Sequence, residues 1–182
     1  SPLEIAPFLQ EMMAESETRF NTFGPLLTVL AAAVRQSVLR DGRGREKGSR
    51  PLIRVSLVYG EAWANLMPVS AARWAALGLR ASVFMAMDQA SLAKCKEFHL
   101  LCYPTRISTV LHKYTVTALA AHLGVDVLYV DMDAVPLGPD PLGAILSMVE
   151  LEDPFHLAVS THNYDCLNAG VWFARASSST AR

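Results

Sequence analysis

Apolar and polar positions fall into two textures along the chain. In residues 1–40 they follow helical spacing. Leu3, Ile5, Phe8, Leu9, Met12 and Met13 lie near one face, behind a Ser1-x-x-Glu4 capping box with Pro2 at the first helical position. A second helix is predicted from Pro25 to Leu39, where Asp41-Gly42 ends it. The stretch from Asp41 to Pro51 is polar and rich in glycine, and reads as a linker. It separates a 1–50 N-terminal helical segment from a 51–182 domain. The basic cluster inside it reads as a solvated loop.

From residue 52 short apolar runs alternate with helical stretches. Strands are predicted at Leu52–Tyr59, Ser82–Met87, Leu100–Tyr103, Val125–Val130, His156–Ser160 and Gly170–Ala174. Helices are predicted at Pro68–Leu77, Ser91–Phe98, Thr109–Leu123 and Pro141–Val149, with Gly124 placed to cap the third. Strands that are apolar on both faces and alternate with helices specify an α/β fold, a mostly parallel sheet flanked by helices. Such sheets bind ligands beyond the carboxyl ends of their strands. Tyr59-Gly60-Glu61, Asp88 and Asp131-Met132-Asp133 all fall at such ends. The strands at 52–59, 82–87 and 125–130 should therefore lie side by side, with Asp88 and Asp131 at one edge.

Composition narrows the functional classes. Of 182 residues, 52% are hydrophobic and 18% charged, which excludes a disordered chain and supplies a sizeable core. A net charge of -1 offers no basic surplus for a nucleic-acid partner. The longest early apolar run, Pro25 to Val34, is well short of the ~20 residues a membrane span needs, so no membrane anchor is expected in this chain. Cys95, Cys102 and Cys166 cannot all pair internally. Three buried or half-buried thiols is the favoured reading, with a Cys95–Cys102 disulfide open in an oxidising compartment. The five histidines show no metal-ligand spacing, though His162 follows a strand end and has a route to the site. Trp63, Trp74 and Trp172 read as core anchors.

The sharpest feature is the apolar run Val127-Leu128-Tyr129-Val130 ending in Asp131-Met132-Asp133. Two carboxylates one residue apart at the lip of a buried strand require a turn to bring their oxygens together. Sharing a hard divalent cation, Mg²⁺ or Mn²⁺, relieves their repulsion. Few protein ligands leave positions open for phosphate oxygens. Two enzyme families use such a strand. In haloacid-dehalogenase-like phosphatases the motif normally opens the domain and needs a long downstream stretch containing a lysine. Here 80 residues of the domain precede Asp131, 49 residues follow Asp133, and no lysine follows Lys113.

The other family is the GT-A glycosyltransferases, and several further segments match it. Residues 82–182 resemble the nucleotide-diphospho-sugar transferase domain of plant, algal and other eukaryotic glycosyltransferases. The resemblance rests on an ordered set: 82–88, Cys95-Lys96, Lys113, Val127 to Asp133, Asp140-Pro141-Leu142, and Asn168-Ala169-Gly170-Val171-Trp172-Phe173. Pro136 stands near where the family usually has Trp, and residues 1–50 lie outside the match.

The resemblance implies a Rossmann-like GT-A fold and metal-dependent, retaining transfer of a sugar from a nucleotide-sugar, with uridine as base, to a glycan or glycoprotein acceptor. It implies that Asp131 and Asp133 hold Mn²⁺ or Mg²⁺ against the donor diphosphate, and that Asn168, with Gly170 permitting close approach, faces the donor sugar. Met132 contributes its backbone N–H or packing. Tyr59 and Gly60 would meet the base, Asp88 uracil or ribose, and Lys113 the diphosphate or a site carboxylate. The non-catalytic expectations are a half-buried core Tyr59, a helix-capping Asp88, a snorkelling Lys113 and an Asn168 in the turn before a strand. The resemblance also implies a Golgi-lumen location and further acceptor-side residues beyond Arg182, so the domain is expected to be incomplete. The alternatives are the phosphatase and a non-catalytic nucleotide-sugar-binding domain.

Overall fold

The computed structural model describes residues 24–39, 50–105, 112–136, 140–151, 157–162 and 166–176. The expected helix behind Ser1 and most of the glycine-rich linker lie outside these residues. The described chain is α/β, with a mostly parallel sheet flanked by helices. Its elements run α1 (Gly24–Leu39), β1 (Leu52–Val58), α2 (Glu61–Ala76), β2 (Ser82–Ala86), α3 (Gln89–Glu97), β3 (Leu101–Pro104), α4 (His112–His122), β4 (Asp126–Val130), α5 (Pro141–Leu151), β5 (Leu157–His162) and β6 (Cys166–Ala174).

The six strands lie in the order β3-β2-β1-β4-β6-β5. β3, β2, β1 and β4 are parallel to their neighbours, while β6 runs antiparallel to both β4 and β5. As the alternation of apolar residues predicts, β1, β2 and β4 sit side by side in register, Val55 meeting Val83 on one side and Tyr129 on the other.

Side chains alternate across each strand, so each face acquires its own core. Ile53, Val55, Val83, Met85, Val127, Tyr129 and Trp172 pack under Leu26, Leu30 and Ala33 of α1 and Val116 and Ala120 of α4. On the opposite face Leu52, Leu128, Val130 and Phe173 meet Trp74 of α2 and Leu142 of α5. Beside them Val58, Phe84 and Ala86 meet Ala64 and Met67 of α2 and Cys95 of α3. Each large aliphatic side chain removed from water contributes about 1.5–3 kcal/mol, which is why β4 is buried from Val127 to Val130. Gly124 closes α4 at φ 82, the left-handed geometry a C-terminal cap requires.

Two elements and one tryptophan depart from the sequence expectation. α2 begins at Glu61, and Pro68 lies inside it rather than at its start. Proline in a helix interior forfeits a hydrogen bond, but burial of Ala64, Met67 and Trp74 along one side holds the helix through it. β6 begins at Cys166 rather than Gly170, because residues 166–168 pair with β5. Trp74 and Trp172 are core anchors as expected, whereas Trp63 is 41% exposed on α2.

Cys95 and Cys102 are joined in a disulfide with Cα atoms 6.1 Å apart, which corrects the reading of three free thiols. The bond ties α3 to the short edge strand β3. Closing so small a loop restricts the unfolded chain by about 2.5 kcal/mol on the chain-entropy estimate. Reduction, or a Cys95→Ser/Cys102→Ser variant, should lower the Tm by about 5–10 °C in calorimetry. An unchanged Tm under reductant would mean that the pair is not bonded in the native protein.

Candidate functional site

Strand order fixes where a ligand fits. From β1 the chain moves outward through β2 to β3, then returns to place β4 on the other side of β1. The loops leaving β1 and β4 therefore start side by side at the carboxyl edge, where such sheets bind ligands, and both lead to helices on one face, α2 and α5. Tyr59-Gly60-Glu61 leaves β1 and Asp131-Met132-Asp133 leaves β4, both at the carboxyl edge. Asp88 leaves β2 at that same edge, two strands from Asp131, a separation of about 10 Å between strand axes.

At the end of β4 the chain turns as two neighbouring carboxylates require, with the Ala134 N–H donating to the Asp131 carbonyl at 3.1 Å. Asp131 is half-buried and Asp133 exposed. The Asp131 N–H donates to the Gly170 carbonyl at 2.7 Å, so β6 fixes the start of the turn. Pairing of β6 with β5 jumps from Trp172–Val159 to Asn168–Ser160, leaving residues 169–171 unmatched on β5. A bulge of this kind re-aims a strand beside a site. It brings Gly170 to Asp131, and it places Asn168 within β6 rather than in a turn before it.

Tyr129 holds the side chain of Asp131. Its hydroxyl donates to Asp131 Oδ1 at 2.5 Å. Burial, that hydrogen bond and the Asp131 charge push the phenol well above its usual pKa, so it stays protonated as a donor. The ring of Trp172 stacks between Tyr129 and Tyr114, with centroids 3.9 and 4.9 Å away. Lys113 is buried rather than snorkelling, its Nζ 5.0 Å from the Trp172 ring centre and 5.1 Å from that of Tyr129. A cation, three rings and a carboxylate thus share one face of β4.

Sequence reasoning passed over a second cation. Arg54, in the middle of β1, is 1% exposed. Its Nη2 donates to Ser70 Oγ at 2.7 Å and lies 4.0 Å from Met132 Sδ, while its guanidinium sits 5.6 and 5.5 Å from the Trp74 and Phe84 ring centres. Nε and Nη1 have no hydrogen-bond partner, and among the described residues no carboxylate lies within ion-pair distance. Burial lowers its pKa to about 10, so it remains charged at neutral pH. The available signal was the lone charged residue in the apolar run Leu52–Val58.

Asp88 takes the capping role. Its Oδ1 accepts from the Ser91 N–H at 2.7 Å and its Oδ2 from the Gly60 N–H at 2.6 Å. The carboxylate therefore shapes the carboxyl edge by pinning Gly60, whose φ of 83 suits glycine. Tyr59 is 66% exposed at the lip rather than half-buried in the core. Arg73 of α2 donates to the Pro136 carbonyl at 3.3 Å, steadying the chain after the acidic turn.

No protein-family model matches the chain, and a search of curated proteins returned no match. Among the described residues no cluster of three or more histidines, cysteines or acids could hold a metal. Asp131 and Asp133 bring two carboxylates to this turn, and a cation bound by them would take its other ligands from water or a bound anion.

Asp88→Ala should destabilise the fold by about 1–2 kcal/mol in denaturant titration, through loss of the cap. Burial pushes the Asp88 carboxyl up, but hydrogen bonds from Ser91 and Gly60 outweigh it and hold its pKa below the ordinary 3.8. Its contribution is therefore present above that value and lost as pH falls through the folded-state pKa. The gap between wild type and Asp88→Ala should accordingly close in acid; a gap independent of pH would contradict the assignment.

Proposed function

We propose that this chain carries the donor-binding half of a metal-dependent GT-A-type glycosyltransferase. The observation that carries the proposal is the Asp131-Met132-Asp133 turn at the carboxyl end of β4, beside the loop that leaves β1. Two carboxylates fit Mn²⁺ or Mg²⁺ whose remaining positions are filled by diphosphate oxygens. The resemblance of residues 82–182 to nucleotide-diphospho-sugar transferases supplies the donor class, a nucleotide-sugar with uridine as base.

In this reading the chain's residues divide the work. Asp131, oriented by Tyr129, and the exposed Asp133 hold the cation. Tyr59 stands beside Gly60 on the β1 side, where a base would lie against its ring. Asn168 and the bulge at residues 169–171 border the sugar side, and Lys113 adds positive charge behind Asp131. Transfer breaks the bond from the anomeric carbon to the diphosphate oxygen, which leaves with the electron pair. A new bond forms to an acceptor hydroxyl, whose proton passes to the departing diphosphate oxygen, and configuration is retained. The bound cation would stabilise the charge that develops on the departing diphosphate. The acceptor is a glycan or glycoprotein, and the Golgi lumen is the compartment proposed with it.

Titration of UDP into the protein with Mn²⁺ should release heat that largely disappears with EDTA. An Asp131→Ala/Asp133→Ala variant should behave like the EDTA-treated protein. Binding of equal strength without metal would remove the role assigned to the pair. Release of phosphate from a small phosphoester, lost in Asp131→Asn, would assign phosphatase chemistry instead. Donor binding without transfer or donor hydrolysis would leave a binding domain.

A further inference from the structure

Arg54 is a costly residue to leave where it is. A guanidinium removed from water without a carboxylate partner among the described residues forfeits hydration that ring faces and one serine only partly replace. Three of its surroundings have ready structural explanations: Trp74, Phe84 and Ser70 would pack as well around an apolar side chain of similar length. The fourth, Met132, belongs to the same apolar cluster but also ties the guanidinium to the site. Nη2 touches the sulfur of Met132, the residue between the two site carboxylates, from the opposite side of β4 to Lys113. Its charge is therefore fixed beneath the acidic turn and shielded from solvent.

A buried cation in that position acts in opposite directions on the two ligands the site takes. It repels a bare divalent cation approaching Asp131 and Asp133. It attracts a diphosphate, and through it the metal–diphosphate complex, because low-dielectric surroundings let the field reach the turn with little screening. We propose that Arg54 is a positioning residue that biases the acidic turn against free divalent metal and towards the anionic metal–nucleotide complex. This inference rests on the donor reading for its second ligand, but not for its first.

The variant Arg54→Met removes the charge while keeping an unbranched apolar side chain beneath Met132. Exchanging a buried ion for a hydrophobe is often neutral or stabilising, so its Tm should equal or exceed that of wild type. Calorimetry should then show Mn²⁺ alone binding about tenfold tighter, and UDP in saturating Mn²⁺ binding about tenfold weaker. Arg54→Lys keeps the charge and should restore the wild-type ratio of the two affinities. Loosening of the turn alone would weaken both ligands together, and this outcome, or identical affinities in wild type and Arg54→Met, overturns the proposal. If wild type binds Mn²⁺ but not UDP, the donor reading fails, and the Mn²⁺ comparison still decides the role of Arg54. Absence of Mn²⁺ binding from both proteins overturns both.

Discussion

The pairing of β6 against β4 is the interaction on which the acidic turn depends. A parallel strand buried on both faces leaves its last N–H and C=O groups needing partners, since water reaches them poorly. Val130 meets Val171 in the ladder, and the Asp131 N–H continues it one step further to the Gly170 carbonyl. That last bond anchors the backbone of Asp131 while the chain beyond turns away. The bulge at residues 169–171 makes the arrangement possible, because β6 can follow β4 to its end and still cross to β5. Backbone satisfaction, rather than any ligand, sets the position of the first carboxylate.

On that frame the charges form layers. Asp131 and Asp133 lie at the turn after β4; Lys113 on the α4 side and Arg54 on the α2 side flank β4, each against aromatic rings. Aromatic faces stabilise a cation without neutralising it, which an ion pair would do. Arg54 thus keeps its positive charge below the turn, and Lys113 sets a second cation against the rings of Trp172 and Tyr129. Tyr129 links the layers, donating to Asp131 at one end while its ring stacks on Trp172. The acidic turn would be poorly organised by its own repulsion; the fold beneath it supplies what offsets that repulsion.

Much of this was legible in the chain because burial writes itself into apolar runs. Val127 to Val130 announced a doubly covered strand, and Asp131-Met132-Asp133 announced its lip. Gly124 announced the end of α4. What escaped was set by tertiary contact. Pro68 argues for a helix start on local energetics, and only packing of Ala64 and Met67 ahead of it extends α2 back to Glu61. Cys166 to Asn168 carries no strand pattern of its own and becomes strand by pairing with β5. Tyr129 passed as one more apolar residue, since its hydroxyl matters only once Asp131 folds back over it. Arg54 was visible as an exception in β1, but its meaning needed the Met132 contact 78 positions away.

The number of protein ligands has a consequence for how such a site works. An all-protein cage of three or four donors would hold a divalent cation permanently and leave little room for a substrate oxygen. Two carboxylates backed by two buried cations do the reverse. On the proposed reading such a site would bind free metal weakly, and the metal–diphosphate complex would gain from both layers at once, the acids through the cation and the bases through the phosphates. Metal and nucleotide would then enter as a coupled pair, each raising the affinity for the other by the same factor. Strength of that coupling would lie in buried residues that contact neither ligand. The fold is therefore part of the site's chemistry, not only its support.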